Sequence, residues 1–398
     1  MSVETKQPPL HRYPLEGKFG PYGGRFVPES LMPALLELEA AYESAKADPA
    51  FQQSVKDHQI HYAGRPTPLF EARRLSAHFG GATILLKRED LLHGGAHTLN
   101  NALGQALLAK RMGKARLIGE TGSGAHGVAV AMVGALLGLR SELFMGQADV
   151  ERQRFNVHRM RLLGAHVHPV DACAGTPAEA ALEEWAMDVK STHYVSSSAV
   201  GPHPYPLMVR DFQAVIGTET KGKILRERGQ LPAWVVACVG AGGNAVGSFY
   251  PFVEDANVQL LAVEAAGPGP LAAGSIGVLY GAKTYVLQDD AGQMLQRPGA
   301  PAGLNCLAVG PELAMYKDAK RVECIGVNDD QALEGFHWLC RFEGILPAFE
   351  SAHAVYAGAM RAKTLAKDKL VVVTLSGRGD KDVDGLFRGQ EGKSGESA

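Results

Sequence analysis

The residues of this sequence that could do chemistry sit in two glycine-rich turns, at two acids and in a histidine-bearing loop. In VVACVGAGGNAVGSFY, Gly240, Gly242 and Gly243, then Asn244, follow an apolar run and precede a helical pattern. Glycines there let backbone N–H groups curl around an anion, and a helix start favours negative charge. A phosphate cradle and a tight turn that simply needs small residues both account for the segment, and Gly247 falls out of step with a dinucleotide fingerprint. A second turn, LSGRGDKD, puts Ser376 at the carboxyl end of an apolar strand, where open α/β sheets bind ligands, although a capping serine in a structural turn reads the same way.

Glu120, in LIGETGSGAHGVAVA, also closes an apolar strand, and the turn after it opens a helix. There it could act as a general base, or it could be an ordinary salt-bridged glutamate. Glu350, in EGILPAFESAHA, precedes a helix, and a role at that helix start explains it equally well. His93 and His97 lie in a Gly-rich loop that runs into a helix beginning near Thr98; an imidazole there could meet a ligand, while Thr98 is also a normal N-cap residue.

Positioning these groups requires alternating strands and helices. Short apolar runs at 82–86, 115–119, 141–145, 166–170, 233–239, 259–264 and 370–375 predict strands. The segments 98–111, 124–137, 152–163 and 177–188 predict helices between them. That order implies parallel sheets covered on both faces, and two such series predict an α/β protein of two doubly wound lobes with the site between them. The stretch 267–311, rich in Gly and Pro, reads as irregular and cleft-covering. The Gly/Ser/charge-rich tail at 391–398 reads as disordered.

With 398 residues, 46% of them hydrophobic and 21% charged, the chain can bury a large core. A net charge of −2 and only one short basic cluster give no reason to expect nucleic acid or an anionic membrane as partner. Five scattered cysteines form no metal or disulfide pattern, so a cytoplasmic setting and no metal site are expected. No signal peptide or membrane-length apolar run is evident.

Taken together, the blocks resemble the tryptophan synthase beta chain family, enzymes of the fold type II pyridoxal-phosphate group that condense serine with indole. The matching blocks include GKFGPYGGRFVPESL (17–31), GRPTPLF (64–70), LKREDLLHGGAH (86–97), NALGQALLAKRMGKARLIGETGSGAHGVA (101–129), ERQRFNVHRMRLLGA (151–165), GPHPYPLMVRDFQ (201–213), CVGAGGNAVG (238–247), EGILPAFESAHA (343–354) and LSGRGDKD (375–382), in family order from about 17 to 390. By this resemblance Gly240, Gly242, Gly243 and Asn244 form the cofactor-phosphate loop, Ser376 faces the pyridine nitrogen and Glu350 lies on the cofactor side. His97 lies next to the cofactor, and Glu120 is the acid that assists at indole. Thr121, Gly122, Ser123, Gly124, Ala125 and His126 hold the amino acid's carboxylate; Leu279 and Tyr280 line an indole passage, and Asn305 belongs to the closing region. The implied lobes are 1–63 plus 97–212, with a mobile part at about 113–198, and 64–96 plus 213–390.

The departures from the family pattern gather on the amino-acid and cofactor side. Where the family reads His-Lys-Thr-Asn, this chain has His97-Thr98-Leu99-Asn100, so threonine stands where the Schiff-base lysine is expected. Lysine supplies the amine that bonds the cofactor and then moves the Cα proton, and threonine does neither. Leu92, Gly94, Ala125, Gly243 and Asn305 are further departures. These lead to the expectation of a repurposed enzyme of secondary metabolism that works without pyridoxal phosphate. It would be a lyase-type catalyst forming a C–C bond to an indole-like nucleophile, with Glu120 as general base. The alternatives are a tryptophan synthase-type enzyme that keeps pyridoxal phosphate non-covalently, and a catalytically silent partner subunit. A homodimer is expected, with an alpha-type subunit as a further partner.

Overall fold

The computed structural model describes residues 8–267, 269–295 and 301–385; the tail at 391–398 lies outside the described residues. Two sheets carry the α/β architecture. The smaller has four parallel strands in the order His166–Val170, Arg140–Gly146, Arg116–Glu120, Thr192–Tyr194. The larger has six, in the order Val322–Val327, Gln259–Ala265, Trp234–Cys238, Leu370–Leu375, Thr83–Arg88, Leu69–Glu71, all parallel except the last pair. Seven runs read from the sequence as strands are strands, with ends shifted by at most two residues.

The six-stranded sheet is buried on both faces, as a parallel sheet flanked by helices must be. Alternate residues of its strands point to opposite sides. Leu85, Val235, Ala237, Leu260 and Val372 pack into one apolar cluster, whereas Ile84, Leu86, Val236, Leu261, Val371 and Val373 pack into another. That explains continuous apolar runs such as LVVVTL, every residue of which is buried.

Both sheets reverse direction at the site. From Trp234–Cys238 the chain builds outward through Gln259–Ala265 and Val322–Val327, then returns to place Leu370–Leu375 on the other flank of Trp234–Cys238. From Arg116–Glu120 it builds through two strands and returns to set Thr192–Tyr194 on the opposite flank. Such switch points open a crevice outside the carboxyl ends of the two diverging strands. Glu120 and Tyr194 end the strands at one switch point, and the turns starting after Cys238 and Leu375 lie at the other.

Three expectations change. The stretch 267–311 is not wholly irregular: Ser275–Leu279 and Ala282–Val286 form an antiparallel hairpin that joins Lys18–Phe19 and Tyr22–Gly23 in a third sheet. Its Gly and Pro content conceals strands this short. The helix expected at 152–163 starts two residues late, as Arg154–Leu162, because the backbone at Gln153 leaves the helical region and separates it from a preceding short helix, Gln147–Arg152. Thr98 is not an N-cap: the helix Thr98–Arg111 begins on it, and no side chain caps its start.

That helix is buried along most of its length and packs on the helix Tyr205–Gln213. The contact is tight at Gly104, where an added Cβ would stand 2.3 Å from Cδ1 of Phe212. Gly104→Ala is expected to cost a net of up to about 2 kcal/mol of stability, because overpacking of about 1–3 kcal/mol outweighs the roughly 1 kcal/mol of helix propensity that alanine gains. Urea unfolding of the two proteins measures it.

Candidate active site

A cleft of about 670 Å³ lies where the carboxyl ends of the two sheets face each other. It is lined by His97, Thr98, Glu120, Thr121, Gly122, Ser123, Ala125, His126, Gly240, Gly242, Gly243, Asn244, Tyr280, Asn305, Glu350 and Ser376, sixteen candidates drawn from segments far apart in the chain. Gly124 and Leu279 do not line it. Gly124 supports the wall, with φ of +80° and an added Cβ only 2.6 Å from Cβ of Asn156, and Leu279 is half-buried on the hairpin. His93 is exposed outside the cleft and packs edge-on against Tyr62.

Glu120 is held by Tyr194, whose hydroxyl donates to Oε2 at 2.6 Å across the switch point. Burial pushes the Glu120 carboxyl up to about 7, against the opposing pull of hydrogen bonds from Tyr194 and Ser197. A carboxylate that changes state near neutrality is matched to proton transfer, in contrast to a paired surface glutamate. Tyr194 is the functional neighbour that sequence reasoning missed.

The opposite wall holds the glycine turn. A side chain at Gly240 would put its Cβ 2.2 Å from the carbonyl oxygen of Gly303, and Gly242 has φ of +97° with Leu313 2.4 Å from its Cβ position. Neither site tolerates another residue, so at these two positions the turn keeps backbone, not side chains, toward the cleft. Asn244 donates from Nδ2 to the carbonyl of Cys238 at 2.9 Å, and its Oδ1 is buried without a partner among the described residues. Ser376 shares a 2.8 Å hydrogen bond with Ser351 and lies 3.5 Å from Sγ of Cys238.

Glu350 is ion-paired with Lys381 at 2.8 Å and accepts from the Gly303 N–H at 3.2 Å. Burial alone would raise its carboxyl, but the Lys381 ammonium prevails and holds it below the usual range. Lys381 also bridges Asp382, and these two carboxylates keep its amine protonated despite burial. It is the one lysine among the described residues lining the cleft, and it is fully engaged.

Thr98 presents its hydroxyl at the first turn of its helix, 3.3 Å from the carbonyl of Ala125. His126 is bonded through Nε2 to the carbonyl of Val195 at 2.9 Å, and its Nδ1 has no partner among the described residues. Gly94, with φ of +91°, has Met132 Sδ 2.8 Å from its Cβ position, so a larger residue in that turn would displace Met132. At the rim, Arg152 is paired with Asp149 and Arg378 with Asp380, while Arg159 donates to the carbonyl of Gly94 at 2.9 Å. Among the described residues no three His, Cys, Asp or Glu side chains gather as a metal site, and no helix is long and apolar enough to cross a membrane.

Two opposed parallel sheets with an anion-type turn on one and a near-neutral acid on the other define a cofactor enzyme of the α/β type. A family model described as "Pyridoxal-phosphate dependent enzyme" matches residues 60–377, and the chain belongs to that family, in its tryptophan synthase beta branch. It is 51% identical over 378 residues to the tryptophan synthase beta chain of Nitrosomonas europaea, covering 92% of this chain and 95% of that one. Among solved structures it is similar to a threonine deaminase from T.th., with TM-score 0.62, 21% identity and coverage of 86% and 97%. The processed threonine deaminase isoform 2 of Solanum lycopersicum gives TM-score 0.64, 18% identity and coverage of 92% and 90%. At these identities the two structures speak for the fold.

These findings overturn the expectation of an enzyme that works without pyridoxal phosphate. Half of all positions agree with a tryptophan synthase beta chain over nearly the whole length, and the family model is that of pyridoxal-phosphate enzymes. The physical reason is that a cofactor is held by many contacts. One threonine at position 98 leaves the glycine turn, Asn244 and Ser376 in place around the same cleft.

Proposed function

We propose that the chain is a pyridoxal-phosphate-dependent β-substitution enzyme of the tryptophan synthase type, acting on L-serine and indole with the cofactor held non-covalently. The observation that carries this reading is that one cleft joins the glycine turn at 240–244 and Ser376 to Glu120 on the facing sheet. The residues fit the cofactor. Backbone N–H groups of the glycine turn would take its phosphate, and the Ser376 hydroxyl would face its ring nitrogen. When bound, pyridoxal phosphate acts as an electron sink for the amino acid's Cα.

The chain's own groups then divide the work. The turn Thr121–His126 binds the amino acid's carboxylate, its Thr121 hydroxyl braced by the Gly127 N–H at 3.2 Å. Tyr280 and Asn305 border the approach of the aromatic substrate. Glu120 accepts the indole N–H proton as the ring carbon attacks. Thr98 takes the place from which a lysine amine would reach the cofactor, so nothing tethers it to the protein, and another base in the cleft must take the Cα proton that a lysine would move. The same reading carries a homodimer, an alpha-type partner, a cytoplasmic setting, and a segment at about 113–198 that moves with the lobe 1–63 plus 97–212 against 64–96 plus 213–390.

The test is reconstitution. Protein supplied with pyridoxal phosphate is expected to show a bound-cofactor absorbance that dialysis removes, to stay unlabelled after borohydride by mass spectrometry, and to form tryptophan from L-serine and indole. Absence of both binding and tryptophan overturns the reading.

A further inference from the structure

His97 lines the cleft with one edge of its ring toward the glycine turn: Cε1 is 3.9 Å from where a Cβ on Gly243 would stand. An imidazole in that position helps an anion only if its free nitrogen carries the proton, and the tautomer is fixed by the hydrogen bond made at the other nitrogen. Here the surroundings determine it, through a chain of amides that begins at buried charges.

Arg65 and Glu89 form a buried ion pair at 2.8 Å, extended by Glu219, which also takes the Lys87 ammonium at 2.5 Å. A guanidinium only donates and an ionised carboxylate only accepts. Burial would raise the Glu89 carboxyl, but Arg65 and Lys87 prevail and hold it down to about 2, so it is ionised. Asn100 stands between them. Arg65 donates to its Oδ1 at 2.8 Å, and its Nδ2 donates to Glu89 at 3.1 Å, which leaves no freedom to flip the amide. The same Nδ2 donates to Oε1 of Gln213 at 3.3 Å. Turned the other way, Gln213 would set two N–H donors against each other. Its Nε2 therefore faces Nδ1 of His97, at 3.0 Å, and that nitrogen must accept. The imidazole is uncharged at neutral pH, since burial lowers it to about 4.

We propose that Gln213 is a positioning residue that holds His97 as its Nε2–H tautomer, so that the imidazole donates an N–H into the glycine turn and binds the phosphate group seated there. Asn100 sets Gln213, and the Arg65–Glu89 pair sets Asn100. In a cleft whose ligand has no covalent tether, this donor carries more of the retention than it would beside a lysine. The identity of the phosphate ligand rests on the function proposed above; the tautomer does not.

The experiment uses full-length protein labelled with 15N-histidine, its His97 signals assigned by loss in a His97→Asn variant. Long-range 15N–1H spectra without cofactor are expected to show the His97 proton on Nε2. Gln213→Glu, of the same shape but accepting at both oxygens, is expected to move it to Nδ1, and Gln213→Met to release the bias so that both forms are populated. Affinity for pyridoxal phosphate should fall roughly tenfold in Gln213→Glu, as expected for a lost hydrogen bond to a charged group, and only about twofold in Gln213→Met, where the donating form stays populated, with affinity for pyridoxal, which has no phosphate, unchanged in both. A wild-type proton on Nδ1, or a tautomer indifferent to both substitutions, overturns the positioning role. Equal losses for pyridoxal and pyridoxal phosphate overturn the phosphate contact. If the wild type binds no pyridoxal phosphate, the proposed function falls and the phosphate contact with it, while the 15N spectra still decide the tautomer.

Discussion

Thr98→Lys is expected to change a cofactor that dialysis removes into one that borohydride fixes to the chain, and to raise tryptophan formation by roughly 10²–10⁴-fold, the range of a well-placed acid–base group. The backbone is ready for it. Position 98 opens a helix whose next eleven residues are buried, its side chain lines the cleft, and lysine has good helix propensity. Its present hydroxyl makes one long bond, to the carbonyl of Ala125, so little is lost with it. An amine in this partly desolvated cleft, whose rim also carries Arg159 and Arg378, would have its pKa lowered toward the neutral, nucleophilic form. Lys381 cannot stand in, because Glu350 and Asp382 keep its amine protonated and engaged. Mass spectrometry after borohydride locates the label. A folded Thr98→Lys protein with no label and unchanged turnover would remove position 98 from the account of how the cofactor is held.

How far the sequence carries is clearest at the switch points. Glu120, Ser376 and the Gly240 turn were readable because each closes an apolar run, and strand ends are where α/β sheets bind ligands. Tyr194 was not readable: its strand is three residues long, and its partnership with Glu120 depends on a chain return that leaves no local pattern. Lys381 was hidden in a motif that drew attention to Ser376, and only the fold shows that its charge is consumed by Glu350. The hairpin within 267–311 was masked by its Gly and Pro content. Thr98 bears on a covalent bond to the cofactor, whereas the turn, the serine and the histidine proposed to retain it do not depend on the residue at position 98. The Gln213–Asn100–Glu89 chain joins residues 65 to 219, a relation of hydrogen-bond direction that no linear spacing encodes.

Glu120→Gln is expected to lower kcat for tryptophan formation by roughly 10²–10⁴-fold while leaving cofactor binding intact. Glutamine keeps the shape and can still meet the Tyr194 hydroxyl through its carbonyl oxygen, so the structural contact at 2.6 Å survives and only the titrating group goes. The pH profile separates this from a packing defect. A general base works in its ionised form, and burial places the Glu120 carboxyl at about 7. Activity of the wild type should therefore rise through pH 7 and fall tenfold for each unit below it, a limb set far above the ordinary glutamate value of about 4.3. In Glu120→Gln the residual activity should lack that limb. The cofactor's own ionisations are shared by both proteins, so the difference between the two profiles isolates the carboxyl. Retention of the limb in the variant would assign it to another group, and His97 and His126, both lowered by burial to about 4, could not supply it in their present surroundings. Loss of the limb together with the drop in kcat would place the proton of the incoming nucleophile on Glu120, the residue that ends the strand at the smaller sheet's switch point.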